Sequence, residues 1–219
     1  MSTAPQGKWE RRPDARTREL LEAALRVFAR EGYRATRLER VAREAGVTTG
    51  TVYHYFAGKE DLLAQAIRHH LGGFLGDFAR AAGDLSLPAP ARLRGLLHRA
   101  WSYWTTPEFG RVYLLLSGEV RTEAPALFEE WLREGPRRGW SLVESVIRQG
   151  QESGEFAAHL DPYAAARFIT AGLVQQAVLR PYLGESTHAD DFDAFVELAL
   201  RGLGSIPVQK SLCRCGLHG

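Results

Sequence analysis

Residues 36–56 read TRLERVAREAGVTTGTVYHYF, and this stretch decides the fold. It parses as two short helices around a tight turn. Thr36 suits a helix N-cap, and Glu39 three positions on completes the Thr-x-x-Glu pattern of a capping box. Leu38, Val41, Ala42 and Ala45 recur at helical spacing and give the first helix one apolar side. Gly46 stands where a helix end favours a residue that tolerates positive φ. Val47 turns inward, Thr48 offers a second cap, and a second helix is expected from about Thr49 to Phe56. Val52 and Phe56, four apart, share its inner side. Thr49, Gly50, Thr51, Tyr53 and His54 are left facing outward, a small, hydroxylic and aromatic set without a carboxylate. A helix–turn–helix offers such a second helix to the major groove of DNA, with its N-terminal residues nearest the bases.

Residues 42–63, AREAGVTTGTVYHYFAGKEDLL, resemble the DNA-binding segment of the TetR family of bacterial transcriptional regulators. The likeness rests on the Ala-Gly-Val turn, the hydroxyl residue after it, Gly50, Thr51, the Tyr53-x-Tyr55-Phe56 run and the Lys59-Glu60 pair. It is sharp from Arg16 to Ala66 and only architectural beyond. The resemblance implies a homodimer on a palindromic operator in double-stranded DNA, with a C-terminal domain that binds small molecules. It places Thr36 and Lys59 on phosphates, and Thr49, Gly50, Thr51 and His54 close to bases. Tyr53 is expected on backbone or base edge, and Arg37 and Thr48 complete the DNA-binding set.

The chain has 219 residues, enough for a DNA-binding unit plus one further helical domain, and 45% of them are hydrophobic, enough for an ordinary core. Charged residues interrupt every apolar run, so no membrane span is expected. The opening MSTAPQGKWERRPDAR lacks the apolar core of a signal peptide, which points to a cytoplasmic protein. The formal net charge is +2, but residues 1–60 carry +4 and the remainder −2. The positive excess thus lies with the helix–turn–helix, as a phosphate-binding face requires. The two cysteines, Cys213 and Cys215, exclude a disulfide framework. With His218 they make three of the four ligands a zinc site needs, so no metal and no cofactor is expected.

Along the chain, residues 1–13 read as a flexible basic arm and residues 14–60 as a three-helix domain. Its first helix runs from Asp14 to Glu31 and ends on Gly32. Gly58-Lys59-Glu60-Asp61 opens a fourth helix reaching Ala82, where Lys59 opposes the helix dipole and Gly72, Gly73 and Gly76 allow either bending or close packing. Later helices are expected at about 90–104, from Pro107, from Pro125 to Ser153 with a break at Gly135-Pro136, from Asp161-Pro162 to just before Pro181, and at 188–202. No alternating strand pattern appears. The fold class is all-α: the N-terminal helix–turn–helix domain, a helical ligand-binding and dimerisation domain over 61–205, and a flexible tail over 206–219.

Four of the five tryptophans lie between Trp101 and Trp140. Such a concentration suits a domain that encloses an apolar guest. Trp101, Trp104, Tyr113, Trp131 and Phe168 are the expected walls, with Gln175, Gln176, Glu119, Ser117 and His98 as polar groups to orient the guest. Small residues in 164–177 and surplus apolar residues in the last helix suggest a two-fold interface through Ala171, Phe195 and Leu198. No His-Glu-x-x-His, phosphate loop or Gly-x-Ser-x-Gly elbow is present, so no enzyme is expected. The reading is a transcriptional repressor released from its operator by an apolar effector. Its alternative is a ligand-independent regulator or activator with a solid C-terminal core.

Overall fold

The structure, a computed structural model, describes residues 15–186 and 188–204. Among the described residues it is helical with no strand. The basic arm, Cys213, Cys215 and His218 lie outside them. Ten helices carry the architecture: α1 Ala15–Glu31, α2 Leu38–Glu44, α3 Thr49–Tyr55, α4 Lys59–Ala82, α5 Ala89–Trp104, α6 Pro107–Leu115, α7 Pro125–Leu132, α8 Arg138–Glu152, α9 Pro162–Val174 and α10 Ala189–Leu203.

Three of these helices do not simply stop. A wider π turn, Leu116–Val120, follows α6 and runs into Arg121–Glu123. A second, Arg133–Arg137, joins α7 to α8 and absorbs Pro136, whose missing N–H an α turn would have needed. The third, Gln175–Leu179, carries the chain past α9 into Arg180–Tyr182. The helix expected to end before Pro181 therefore continues through it, the wider turn Gln175–Leu179 lying just before the proline, whose missing N–H an α turn would have needed.

The chain forms two compact units, each discontinuous in sequence: 15–77 with 103–139, and 78–102 with 140–204. In the first, the inner residues of α1 (Leu20, Leu21, Ala24, Val27, Phe28) meet those of α2 and α3 and the apolar side of α4. Val112, Leu115, Leu116 and Leu127 close the same core. In the second, Leu93, Leu96 and Leu97 of α5, Val143, Val146 and Ile147 of α8, Ile169 and Leu173 of α9, and Phe192 and Val196 of α10 are buried. Arg92 is buried with them, and its guanidinium donates to the Ala82 carbonyl and to Gln149 Oε1 at 3.0 and 2.6 Å.

Candidate nucleic-acid interface and ligand cleft

The helix–turn–helix is built by local chemistry. At the end of α2, Gly46 takes φ +65°, and its N–H donates to the Arg43 carbonyl while the Val47 N–H donates to that of Ala42. These two bonds satisfy carbonyls the helix leaves open, and the left-handed residue between them demands glycine. Thr48 caps α3, its hydroxyl accepting the Thr51 N–H at 3.2 Å. Val52 and Phe56 are buried, at 0% and 2% exposure. Tyr53 is 57% exposed, and Gly50 and His54 are exposed beside it, with Thr49 and Thr51 half-buried. The outward set therefore lies on one accessible face.

The start of α2 departs from expectation. Its cap is Arg37, one residue later than Thr36, and no side chain caps it, so the capping box does not form. Thr36 is 2% exposed and its hydroxyl donates to the Gly32 carbonyl at 2.6 Å. A buried, already bonded hydroxyl cannot reach a phosphate, so Thr36 is a structural residue. Lys59 is also engaged. Its ammonium donates to the Tyr33 and Arg34 carbonyls at 2.9 and 3.3 Å and lies 4.5 Å from the centre of the Tyr33 ring. These contacts explain a lysine at a helix N-terminus: the charge folds back onto carbonyl dipoles instead of facing the helix amides. The α4 amino end is served instead by Asp61, which accepts the Ala57 N–H at 2.9 Å.

On α1 and α2, Arg26 and Arg30 pair with Glu44, and Arg30 and Arg40 pair with Glu31. The Arg40 hydrogen bond, seconded by Arg30, holds the Glu31 carboxyl below the usual carboxylate range. Among the described residues, Arg37 and Arg43 make no ion pair and are exposed, which leaves them available to phosphate.

One residue that holds this head is far away in sequence. Glu119, on the π turn after α6, accepts the backbone N–H groups of Tyr33 and Arg34 at 2.8 and 2.6 Å. Arg34 also pairs with Glu123. The Tyr33–Arg34 peptide is thus held from both sides, its N–H groups by Glu119 and its carbonyls by Lys59.

The same unit contains a cleft of about 580 Å³. One wall is a face of α4, from Ala64 and Ile67 through Leu71, Gly72 and Leu75 to Gly76. Leu127 and Trp131 face it, and Arg68, Glu130, Arg133, Glu134 and Arg138 supply polar groups. Arg68 pairs with Glu130, and Arg133 with Glu134 at 3.0 Å. Arg138 makes no ion pair among the described residues.

Of the five expected walls and five expected polar groups, only Trp131 lines this cleft. Tyr113 meets the Trp131 ring edge-on at 5.9 Å, and Trp104 stacks on Phe109 at 5.5 Å. Both are packing partners in the first unit. Trp101, Phe168 and Gln175 belong to the second, where Trp101 stacks on Phe192 at 4.4 Å, Phe168 is 79% exposed and Gln175 is exposed. The polar candidates are occupied too. The Ser117 hydroxyl donates to the Tyr113 carbonyl, Gln176 accepts from Arg180, and His98 lies 3.9 Å from Asp193. Sequence reasoning misses the α4 wall because its apolar side looks like core, and Gly72 and Gly76 are its one visible signal. For the dimer residues, Ala171 is exposed and Leu198 is 71% exposed, while Phe195 is half-buried, so close to Gly172 that a Cβ there would lie 2.7 Å from its ring.

A capped, outward-facing second helix on a three-helix core defines a helix–turn–helix DNA-binding protein, and the chain is a transcriptional regulator of that class. Residues 20–66 match the family model of the bacterial regulatory proteins of the tetR family, so this chain carries a TetR-family DNA-binding domain. It is 28% identical over 156 residues to the transcriptional repressor KstR2 of Mycobacterium tuberculosis, covering 71% of this chain and 76% of that one. To the transcriptional regulator HbdR of Aromatoleum sp. (strain CIB) it is 27% identical over 135 residues, 62% of this chain and 57% of that protein. The fold is similar to that of the transcriptional regulator FadR from Bacillus subtilis, solved in complex with stearoyl-CoA. There the TM-score is 0.71 at 21% identity, over 84% of this chain and 98% of that one. No helix among the described residues is long and apolar enough to cross a membrane.

Proposed function

We propose that this protein is a homodimeric repressor that leaves a palindromic operator when an amphipathic effector, apolar in body and acidic at one end, fills the cleft of the first unit. The cleft carries the reading. Its volume lies within the roughly 300–1,000 Å³ of small-molecule sites, its floor is Leu71, Leu75, Leu127 and Trp131, and Arg138 stands at it without a carboxylate partner among the described residues. The stearoyl-CoA in the FadR structure supports the same ligand class. Residues 14–60 serve as the reading head and 61–205 as the sensing and dimerising part. Thr49, Gly50, Thr51 and His54 meet bases, Arg37 meets phosphate, and Phe168, Ala171 and Leu198 form the dimer face.

The wall of the cleft is α4, whose first residue grips the Tyr33–Arg34 peptide. A guest that shifts α4 therefore acts on the head. Two reading helices must sit roughly 34–36 Å apart to enter successive major grooves, so a small displacement is enough to mis-space them. A coupling of about 1–3 kcal/mol weakens operator binding roughly 5- to 150-fold, and DNA weakens the effector by the same factor. The test is a thermal-shift screen of long-chain carboxylates and acyl-CoA thioesters, followed by gel shift on the operator. Hits should release DNA from the wild type and should bind Arg138→Ala more weakly than their uncharged esters predict. A protein that binds operator with no hit in the screen is the ligand-independent regulator instead.

A further inference from the structure

A helix interior disfavours glycine, because the residue gives up backbone freedom and contributes no packing. Two structural reasons ordinarily justify a glycine: a positive φ at a helix end or turn, or a neighbour too close for a Cβ. Both operate elsewhere in this chain. Gly32, Gly46, Gly154 and Gly184 have positive φ. A Cβ on Gly150 would lie 2.2 Å from the Phe156 ring, and one on Gly135 would lie 3.2 Å from Leu71. Neither reason applies to Gly72 or Gly73 of α4. Their φ values are not positive, and a Cβ on either would meet nothing within 4 Å, as holds also for Gly110, Gly139 and Gly202 in other helices. What separates the pair is position. Gly72 lines the cleft, between Leu71 and Leu75 on one wall, and Gly73 does not. Nothing in the structure explains Gly73.

We infer that Gly72 is a specificity-determining residue: its missing side chain is cleft space, kept open for the extended apolar body of the effector. The inference rests on the cleft being the effector site and adds which molecules it admits. The occupant is a long straight-chain acyl group with an anionic head. It lies along the α4 face from Ala64 to Gly76, its head towards Arg138, the cation at this cleft that has no carboxylate partner among the described residues. Any side chain at 72 fills the middle of that path and discriminates against long or broad guests before short ones.

The experiment compares wild type, Gly72→Leu and Gly73→Leu, with two probes measured by direct titration. One is the anionic dye 1-anilinonaphthalene-8-sulfonate, and the other is a series of saturated acyl-CoA thioesters from short to long. Both substitutions replace glycine by a good helix former, so both variants should melt at or above the wild-type temperature. Gly72→Leu should weaken the dye and the longest thioester by at least about tenfold while sparing the shortest, because misfit of even a methylene group in a pocket is felt on that scale. Gly73→Leu should stay within about twofold for every probe. If Gly72→Leu is poorly folded, Gly72→Ala carries the same test, with a smaller loss for the longest chain and a raised melting temperature. Equal binding by Gly72→Leu and wild type, or equal losses in both leucine variants, overturns the inference while leaving the cleft as effector site. A wild type that binds neither probe overturns the effector reading itself, and the inference with it.

Discussion

The contact between Gly32 and Glu119 sets up a quantitative prediction. Gly32 has φ +86°, and a Cβ there would lie 2.7 Å from Glu119 Oε2, inside van der Waals contact. That oxygen accepts the Tyr33 N–H at 2.8 Å while Oε1 accepts that of Arg34 at 2.6 Å. Gly32→Ala therefore has two costs. A non-glycine residue in the left-handed region loses about 1–2 kcal/mol. The carboxylate must also swing away, which gives up part of two charge-assisted hydrogen bonds ordinarily contributing about 1.5–3 kcal/mol each. In Glu119→Ala the partly buried Tyr33 N–H is left unpaired, at about 1–3 kcal/mol, whereas the exposed Arg34 N–H turns to water. Gly32→Ala should thus lose about 2–4 kcal/mol and Glu119→Ala about 1–3 kcal/mol. In the double variant the clash is gone, and the Gly32→Ala substitution adds only its backbone cost, so the combined loss should fall short of the sum by about 1–2 kcal/mol. Urea unfolding of the four proteins measures this, provided the slope with denaturant is constant across them. Strict additivity would show that Glu119 does not occupy the space above Gly32, and the two-sided grip on the Tyr33–Arg34 peptide would go with it.

Three further outcomes follow from the site. His54→Ala should change operator sequence preference, whereas Arg37→Ala should weaken all DNA alike and lower the salt slope by about 1; electrophoretic titration at several salt concentrations separates them. Phe168→Asp and Leu198→Asp each put a charge into the proposed dimer face, so light scattering should report monomers and operator affinity should fall, while dimers of full affinity would place the interface elsewhere. The His70 ring packs 5.2 Å from that of Tyr103, and its Nε2 is buried with no hydrogen-bond partner among the described residues. Burial, then the neighbouring His69, lowers its pKa, with Glu108 opposing. Unfolded chains bind the extra proton first, so this stability is full above about pH 6.5 and is lost as the pH falls below it. His70→Phe should flatten thermal melts over that window, and an unchanged acid slope would refute the assignment.

The parts of the fold legible in the sequence are those decided by neighbours a few residues apart. Gly32, Gly46, Thr48 and Asp161 end or begin helices as their chemistry predicts, because each cap is a contact within one turn. Thr36 misleads for a related reason: the left-handed Gly32 brings its carbonyl within reach of the Thr36 hydroxyl, so the competing local bond wins and the cap moves to Arg37. Glu119 reads as a ligand-orienting group because nothing near it in sequence reveals a partner 86 residues away. The aromatic cluster misleads likewise. Helical spacing says that Trp101 and Trp104 are wanted inside, but not that one stacks on Phe192 and the other on Phe109. Pro181 and Pro136 read as breaks because an α turn cannot pass them, and only the backbone shows the wider turns that carry the chain through the first and take up the second.

The first compact unit closes late in the life of the chain. It needs residues 103–139 as well as 15–77, and its reading head is pinned by a carboxylate 86 residues downstream of the peptide it holds. On a ribosome adding about 5–20 residues per second, that interval takes roughly 4–17 s. During it, the Tyr33 and Arg34 amides lack their Glu119 partner. A nascent chain emerging near a free operator therefore lacks the latch that fixes the turn before α2. The head thus acquires its last hydrogen bonds 86 residues after the peptide they hold has been made.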